Sequence, residues 1–366
     1  MKIIFFIKIF FISLILFLLL DVTIGKYINK KFIQKDLIDV DTSYGKSDST
    51  YDHRFSKNYN SIIGWGNLRY RLCTDNNSFR ISCNKKRKDE KNFDIAFIGD
   101  SFTEGLGYDY EKTFVGLIES KLKNKKIANL AMTSYSPSIY LSKINYLIDS
   151  GYKFREVIVF LDLSDLPDDV LCYQVDELKV KRKKDYLNCY NNLNNTENKF
   201  SKFISKNFKI SILLKDFIND NLLDNKNNEK LLKSLINHSR SEWTYNYKKE
   251  NFNNMMLDES TSISINHMNN LHILLKKNSI DLSVAVYPWP GTLKNDSADN
   301  LQVKIWKKFC ELKCKKFYNF MPAFFSKFEN QDFYKNYKKY FITEDIHYNQ
   351  IGNKLIADEF FIKYVN

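Results

Sequence analysis

Apolar and polar positions alternate in two different rhythms along this chain. From Ile3 to Leu20 the sequence is almost continuously apolar, broken only by Lys8 and Ser13. At about 1.5 Å of helical rise per residue such a run nearly matches a hydrocarbon core of about 30 Å. It predicts an uncleaved signal anchor over residues 1–25, with the membrane contacted through residues 3–20. A cleaved signal peptide is the alternative, although Asp21-Val22-Thr23-Ile24-Gly25-Lys26 offers no small-x-small cleavage site. Residues 26–92 are polar and aromatic and read as a linker and irregular extension.

A second rhythm begins at Ile95-Ala96-Phe97-Ile98, a short run apolar on both faces and followed by Gly99. Similar runs recur around Ile127 to Leu130, at Val157 to Leu161 and at Leu282 to Tyr287. Between them, apolar residues repeat at helical spacing over 112–122 and 138–150, and again after residue 350, where Ile351, Leu355, Ala357, Phe360 and Phe361 are the expected packing face. Short buried strands alternating with amphipathic helices predict an α/β domain over 93–366 with a central parallel sheet. Residues 171–260, rich in Lys and Asn, interrupt the rhythm and read as a helical insertion.

Composition adds bounds. The 366 residues include 56 Lys and Arg against 43 Asp and Glu, a net charge of +13. The basic runs Lys85-Lys86-Arg87-Lys88 and Lys181-Arg182-Lys183-Lys184 are short and lack interleaved stacking aromatics, so no nucleic-acid partner is expected. The basic balance suits an acidic glycan instead. The six cysteines fall into close pairs, Cys73/Cys83, Cys172/Cys189 and Cys310/Cys314, as in an oxidising compartment, with free buried thiols as the alternative. The expected location is membrane-anchored, with the catalytic domain outside the cytoplasm. His53, His238, His267 and His272 have no metal-like spacing and receive no role. Neither a metal nor another cofactor is expected.

The densest chemistry lies in Gly99-Asp100-Ser101-Phe102-Thr103-Glu104-Gly105, where a strand ends and a helix begins. A serine needs a base to become a nucleophile, and a helix N-terminus supplies amides for an oxyanion. Far downstream, Asp345-Ile346-His347 precedes the last helix. His347 suits the general base, and Asp345 suits the group that orients it. At strand ends, Asp165 or Asp162 is a candidate contact for a sugar hydroxyl, and Trp289 is a candidate substrate contact through stacking on a sugar ring, with packing under its Pro-flanked loop as the alternative.

These motifs resemble the SGNH/GDSL hydrolase superfamily over residues 93 to 366, outside the insertion. Gly99-Asp100-Ser101 matches its nucleophile motif, and Asp345 and His347 match its last motif. The single residue between that Asp and His, and the longer Gly-Asp-Ser-Phe-Thr-Glu-Gly pattern, resemble the branch that modifies bacterial surface polysaccharides. The resemblance implies a three-layer, flavodoxin-like fold and an acyl-Ser101 intermediate, hence a serine esterase or an O-acyltransferase. It also places the oxyanion donors at Ser101, Ser134 and Ser164. Ser134 stands where the family has a glycine, and Ser164 where it has an asparagine. The competing expectation is a non-catalytic module of the same fold that binds a glycan or a protein partner.

Overall fold

The apolar run at the start of the chain forms one helix, α1 (Lys2–Ile28), in a computed structural model that describes residues 2–28, 43–85, 89–183, 208, 210–211, 232–329 and 332–365. The chain divides into two units, Met1–Val40 with Asn194–Leu231 and Asp41–Leu193 with Leu232–Asn366. In the first, α1 exposes Phe10, Leu16 and Leu19, while the Asp21 carboxylate is buried and accepts hydrogen bonds from the amides of Ile210 and Ser211. Among the described residues no helix is long and apolar enough to cross a membrane, so the expected spanning anchor finds no support there.

In the second unit the segment expected to be a linker is largely strand. β1 (Gly45–Asp48) and β2 (Asp52–Phe55) form an antiparallel hairpin. β3 (Asn60–Trp65) and β4 (Leu68–Thr74) form another, joined by a two-residue Gly66-Asn67 turn with Gly66 at φ 54°. That positive φ is open to glycine without steric cost. Along β4, Leu68, Tyr70 and Leu72 alternate with Arg69 and Arg71, the period of a strand with one face inward. β4 pairs with β5 (Arg80–Ile81), and β5 joins the main sheet through Asn129.

The sheet itself is built from the strands the apolar runs predict. β6 (Asn92–Ile98) pairs in parallel with β7 (Ile127–Asn129) on one side and β8 (Lys153–Leu161) on the other. Beyond β8 lie β11 (Asp281–Val286) and β12 (Lys316–Asn319), also parallel. The order across the sheet is β12-β11-β8-β6-β7-β5-β4-β3. Two hydrophobic layers cover it. Val157, Val159 and Leu161 point to one layer with α4 (Pro137–Asp149), α5 (Leu257–Lys277) and α6 (Leu301–Cys310). Ile158 and Phe160 point to the other, with α3 (Phe114–Lys121), α7 (Met321–Phe328), α8 (Phe333–Tyr340) and α9 (Gln350–Val365). This is the expected three-layer α/β arrangement.

Two expectations need correction. The start of the insertion is a β-hairpin, β9 (Tyr173–Asp176) with β10 (Lys179–Arg182), because Val175 and Val180 pair across it. Further on, residues 232–236 are helical and short 3₁₀ turns follow, while most of 184–231, within the expected helical insertion, lies outside the described residues. On α9 the buried face is Gly352, Asn353, Ile356, Ala357 and Phe360, so Ala357 and Phe360 pack as expected while Ile351 is exposed. Cys73–Cys83 and Cys310–Cys314 are disulfides and Cys172 is also disulfide-bonded, while Cys189 is outside the described residues.

Candidate active site

Ser101 is placed by the end of β6. The next strand in sequence, β7, lies on one side of β6 and the one after it, β8, on the other, so the carboxyl end of β6 is the crevice where the winding reverses. There Asp100 caps a one-turn helix, α2 (Ser101–Glu104), its Oδ1 accepting from the Phe102 amide at 3.0 Å. Gly105, at φ 89°, ends that turn. Ser101 is thus held at the start of α2, with its amide unbonded to any described protein acceptor.

His347 comes from the loop before α9. Its Nε2 lies 2.8 Å from Ser101 Oγ, and its Nδ1 lies 2.5 Å from Asp345 Oδ1. The same carboxylate oxygen accepts the His347 amide at 2.9 Å, so the one-residue spacer lets Asp345 hold both ring and backbone. With Nδ1–H donated to the carboxylate, Nε2 is left to accept the serine proton. Tyr337 steadies the loop: its hydroxyl accepts from the Asp345 amide at 2.9 Å and lies 2.8 Å from the Asp345 carbonyl.

A fourth residue belongs to this constellation. The Trp65 indole N–H donates to the other Asp345 oxygen at 2.5 Å, and its ring meets the His347 imidazole edge-on at 5.4 Å. Burial pushes the Asp345 carboxyl up, but the neighbouring His347 charge and the hydrogen bonds from His347 and Trp65 outweigh it and leave the group below its ordinary value. Asp345 therefore stays ionised near neutral pH. Trp65→Phe is expected to lower kcat by about 10- to 100-fold, the size of one hydrogen bond to a charged group, about 1.5–3 kcal/mol. Steady-state kinetics check this, with KM nearly unchanged.

The loop after β7 carries Ser134. It adopts φ 65°, the left-handed conformation in which a glycine would be free of strain. Its amide, like that of Ser101, has no acceptor among the described residues. The loop is tied to α2, since Glu104 Oε2 accepts from the Thr133 amide at 2.6 Å and hydroxyl at 2.7 Å, and Asn129 donates to the Thr103 carbonyl at 3.0 Å. Burial raises the Glu104 carboxyl above its ordinary value against the pull of Arg80. Beside this loop a cavity of about 560 Å³ is lined by Tyr44, Lys46, His53, Thr133, Ser134 and Arg182.

The remaining predicted residues sit behind the site. Ser164 follows β8, buried, with its amide donating to Asp162 Oδ1 at 2.7 Å. Asp165 is 2% exposed and accepts from Tyr140 at 3.0 Å and from the Asp162 amide at 3.0 Å. Trp289 is 1% exposed and donates to Asp162 Oδ2 at 2.7 Å, its ring stacked on Phe102. Neither presents a face to a substrate, which corrects the expectation for both: the Pro-flanked turn carrying Trp289 folds inward. Burial, followed by the proximity of Asp162, pushes the Asp100 and Asp165 carboxyls well above their ordinary range.

The fold has partial counterparts among solved structures. The chain is similar to solved esterases. A psychrotrophic esterase from Pseudoalteromonas sp. matches at 10% identity and TM-score 0.38, over 76% of this chain and 100% of its own. A catalytic mutant of an acetylxylan esterase from Geobacillus stearothermophilus matches at 9% identity and TM-score 0.39, over 76% and 96%. A lipolytic protein of the G-D-S-L family from Desulfitobacterium hafniense matches at 12% identity and TM-score 0.35, over 74% and 97%. No protein-family model matches the sequence, and no curated protein does. At these scores the overlap is partial, and the chemistry rests on this chain's own residues.

Proposed function

We propose that this protein is a serine esterase or O-acyltransferase of SGNH/GDSL type, acting on ester-linked acyl groups of a glycan. The observation that carries the reading is the unbroken line Ser101 Oγ, His347 Nε2, His347 Nδ1, Asp345 Oδ1 at 2.8 and 2.5 Å. His347 takes the Ser101 proton as the oxygen attacks the ester carbonyl. The oxyanion then faces the free amides of Ser101 and Ser134. The base next returns its proton to the departing alcohol, leaving acyl-Ser101. Water or a sugar hydroxyl, deprotonated by the same imidazole, releases the acyl group. A non-catalytic binding module has no use for this alignment.

The glycan acceptor rests on the net charge of +13 and on the polar cavity beside Ser134. For the location, we propose a membrane contact through α1 and a catalytic unit outside the cytoplasm. The exposed Phe10, Leu16 and Leu19 are an apolar surface that water disfavours, and the Cys73–Cys83 and Cys310–Cys314 disulfides belong to an oxidising compartment.

The direct test is covalent. A p-nitrophenyl alkylphosphonate should modify one residue, Ser101, as found by peptide mass mapping, and release one equivalent of nitrophenol. Labelling that persists in His347→Ala at the wild-type rate would remove the general base from the scheme. Release of free acid, set against acyl transfer to an oligosaccharide, then separates hydrolase from transferase.

A further inference from the structure

We infer that His53 is a positioning residue for the oxyanion hole, acting by fixing the orientation of the Thr133–Ser134 peptide; this rests on the acyl-serine reading above. A peptide unit is planar, so its carbonyl and its N–H point in opposite directions as one rigid body. The carbonyl of Thr133 and the N–H of Ser134 belong to the same unit. His53 Nε2 lies 2.7 Å from that carbonyl oxygen. A carbonyl only accepts, so the imidazole donates. Holding the oxygen at one end aims the Ser134 N–H at the other.

The aim needs holding because Ser134 is not a glycine. A left-handed φ of 65° costs a residue with a Cβ roughly 1–2 kcal/mol. Rotation of the peptide would relieve that cost and turn the N–H away from the oxyanion. A glycine at this position would face no such bias. The serine that departs from the family's glycine and the histidine that grips its peptide are therefore a matched pair.

His53 is itself firmly placed. Its Nδ1 lies 2.6 Å from Asp52 Oδ2, an oxygen that accepts from Arg182 Nε at 2.7 Å, while Asp52 Oδ1 accepts the Arg182 amide at 3.0 Å. The Tyr135 hydroxyl donates to the His53 carbonyl at 2.7 Å, and its ring packs edge-on against the imidazole at 4.9 Å. The ring is buried. On the far side of Ser134, the Tyr173 hydroxyl donates to the Ser134 carbonyl at 2.5 Å, which holds the following peptide too. β2 and the β9–β10 hairpin thus grip the loop from outside the catalytic motifs. None of these groups contacts the reacting atoms, so with a small acetyl ester, which carries no glycan to fill the cavity that His53 lines, the effect belongs on kcat.

The test is a double-mutant cycle. His53→Phe keeps the ring packing and removes the donor. It is expected to lower kcat about tenfold with KM within about twofold, the factor that corresponds to the left-handed penalty of Ser134. Measured against Ser134→Gly as its own reference, the same His53→Phe change should cost only about twofold, because glycine populates positive φ freely. Tyr173→Phe, a lighter perturbation, should show the same pattern at smaller size if His53→Phe folds poorly. An equal His53→Phe factor in both backgrounds, or an effect on KM alone, overturns the inference. So does a crystal structure of His53→Phe in which Ser134 keeps its positive φ and the Thr133 carbonyl its direction, whatever the activity. Loss of the acyl-serine reading would be seen instead in Ser101 variants, in the wild-type background.

Discussion

Ser101→Ala should reduce kcat for an activated acetyl ester by about 10⁵-fold or more, and adding His347→Ala should reduce it hardly further. The reason lies in how the groups depend on one another. His347 Nε2 has Ser101 Oγ at 2.8 Å as its partner, so once the hydroxyl is gone the base has no proton to move. The residual rate would come from the Ser101 and Ser134 amides, which do not need the side chain. Wild-type turnover followed over time, with both variants at matched protein concentration, checks this. Equal rates for wild type and Ser101→Ala would end the nucleophile assignment. Asp345→Asn should fall between the two, since an amide at that position disturbs the imidazole tautomer without deleting the base.

The largest expected pH dependence of stability comes from Lys143. Its ammonium is buried against Tyr51, Phe79 and Tyr135, with the Leu130 carbonyl at 2.7 Å and the Tyr135 hydroxyl at 3.1 Å as hydrogen-bond partners. Burial lowers its pKa to about 7, against the weaker upward pull of Asp48 and Asp75. The sign follows from proton counts. Between that value and the ordinary lysine range the unfolded chain binds the proton more tightly than the native one, so stability rises with pH. The contribution from pH 7 to pH 10 is about 3 kcal/mol. In Lys143→Met that slope should vanish. Urea unfolding of both proteins at several pH values in this window would measure it. Parallel curves would mean that the native lysine keeps an ordinary affinity for its proton.

A smaller change runs the other way. Asp168 is raised to about 6 by burial despite the Arg240 guanidinium at 2.7 Å. A carboxyl raised in the native state favours folding when protonated. Its contribution is full below the ordinary carboxylate value and is lost as pH climbs through about 6. Arg240→Ala leaves the carboxylate without that cation and is expected to cost about 3–5 kcal/mol at pH 7, with a smaller cost at pH 5. Thermal melts at the two pH values distinguish this from a loss of packing.

The parts of the molecule legible in the sequence are those written locally. Strands β6, β7, β8 and β11 are runs of contiguous apolar residues, and Ser101, Asp345 and His347 lie in short motifs. Trp65 and His53 were missed for a physical reason. Their contributions are hydrogen bonds to residues 280 and 80 positions away, and no spacing rule joins such partners. A partial signal existed for Trp65: Gly66-Asn67 followed by alternating Leu68, Tyr70 and Leu72 marks a hairpin, and a hairpin places its flanking tryptophan on a sheet. Trp289 misled for the opposite reason. An aromatic at a strand's carboxyl end fits a sugar platform and an inward-packed turn equally well, and the Asp162 carboxylate beneath it decides for the second.

The Trp65–Asp345 hydrogen bond also bears on when the Ser101–His347–Asp345 line can assemble. A ribosome delivers Trp65 280 positions before Asp345. Closing so long a loop is slow, and it cannot start until Asp345 has emerged. Strands such as β6, β7 and β8 can pair earlier, while synthesis proceeds, but the catalytic line waits for two distant residues to meet. A chain that stops short of Asp345 would therefore carry an idle Ser101, and under the proposed function its esterase activity would report on synthesis past that residue.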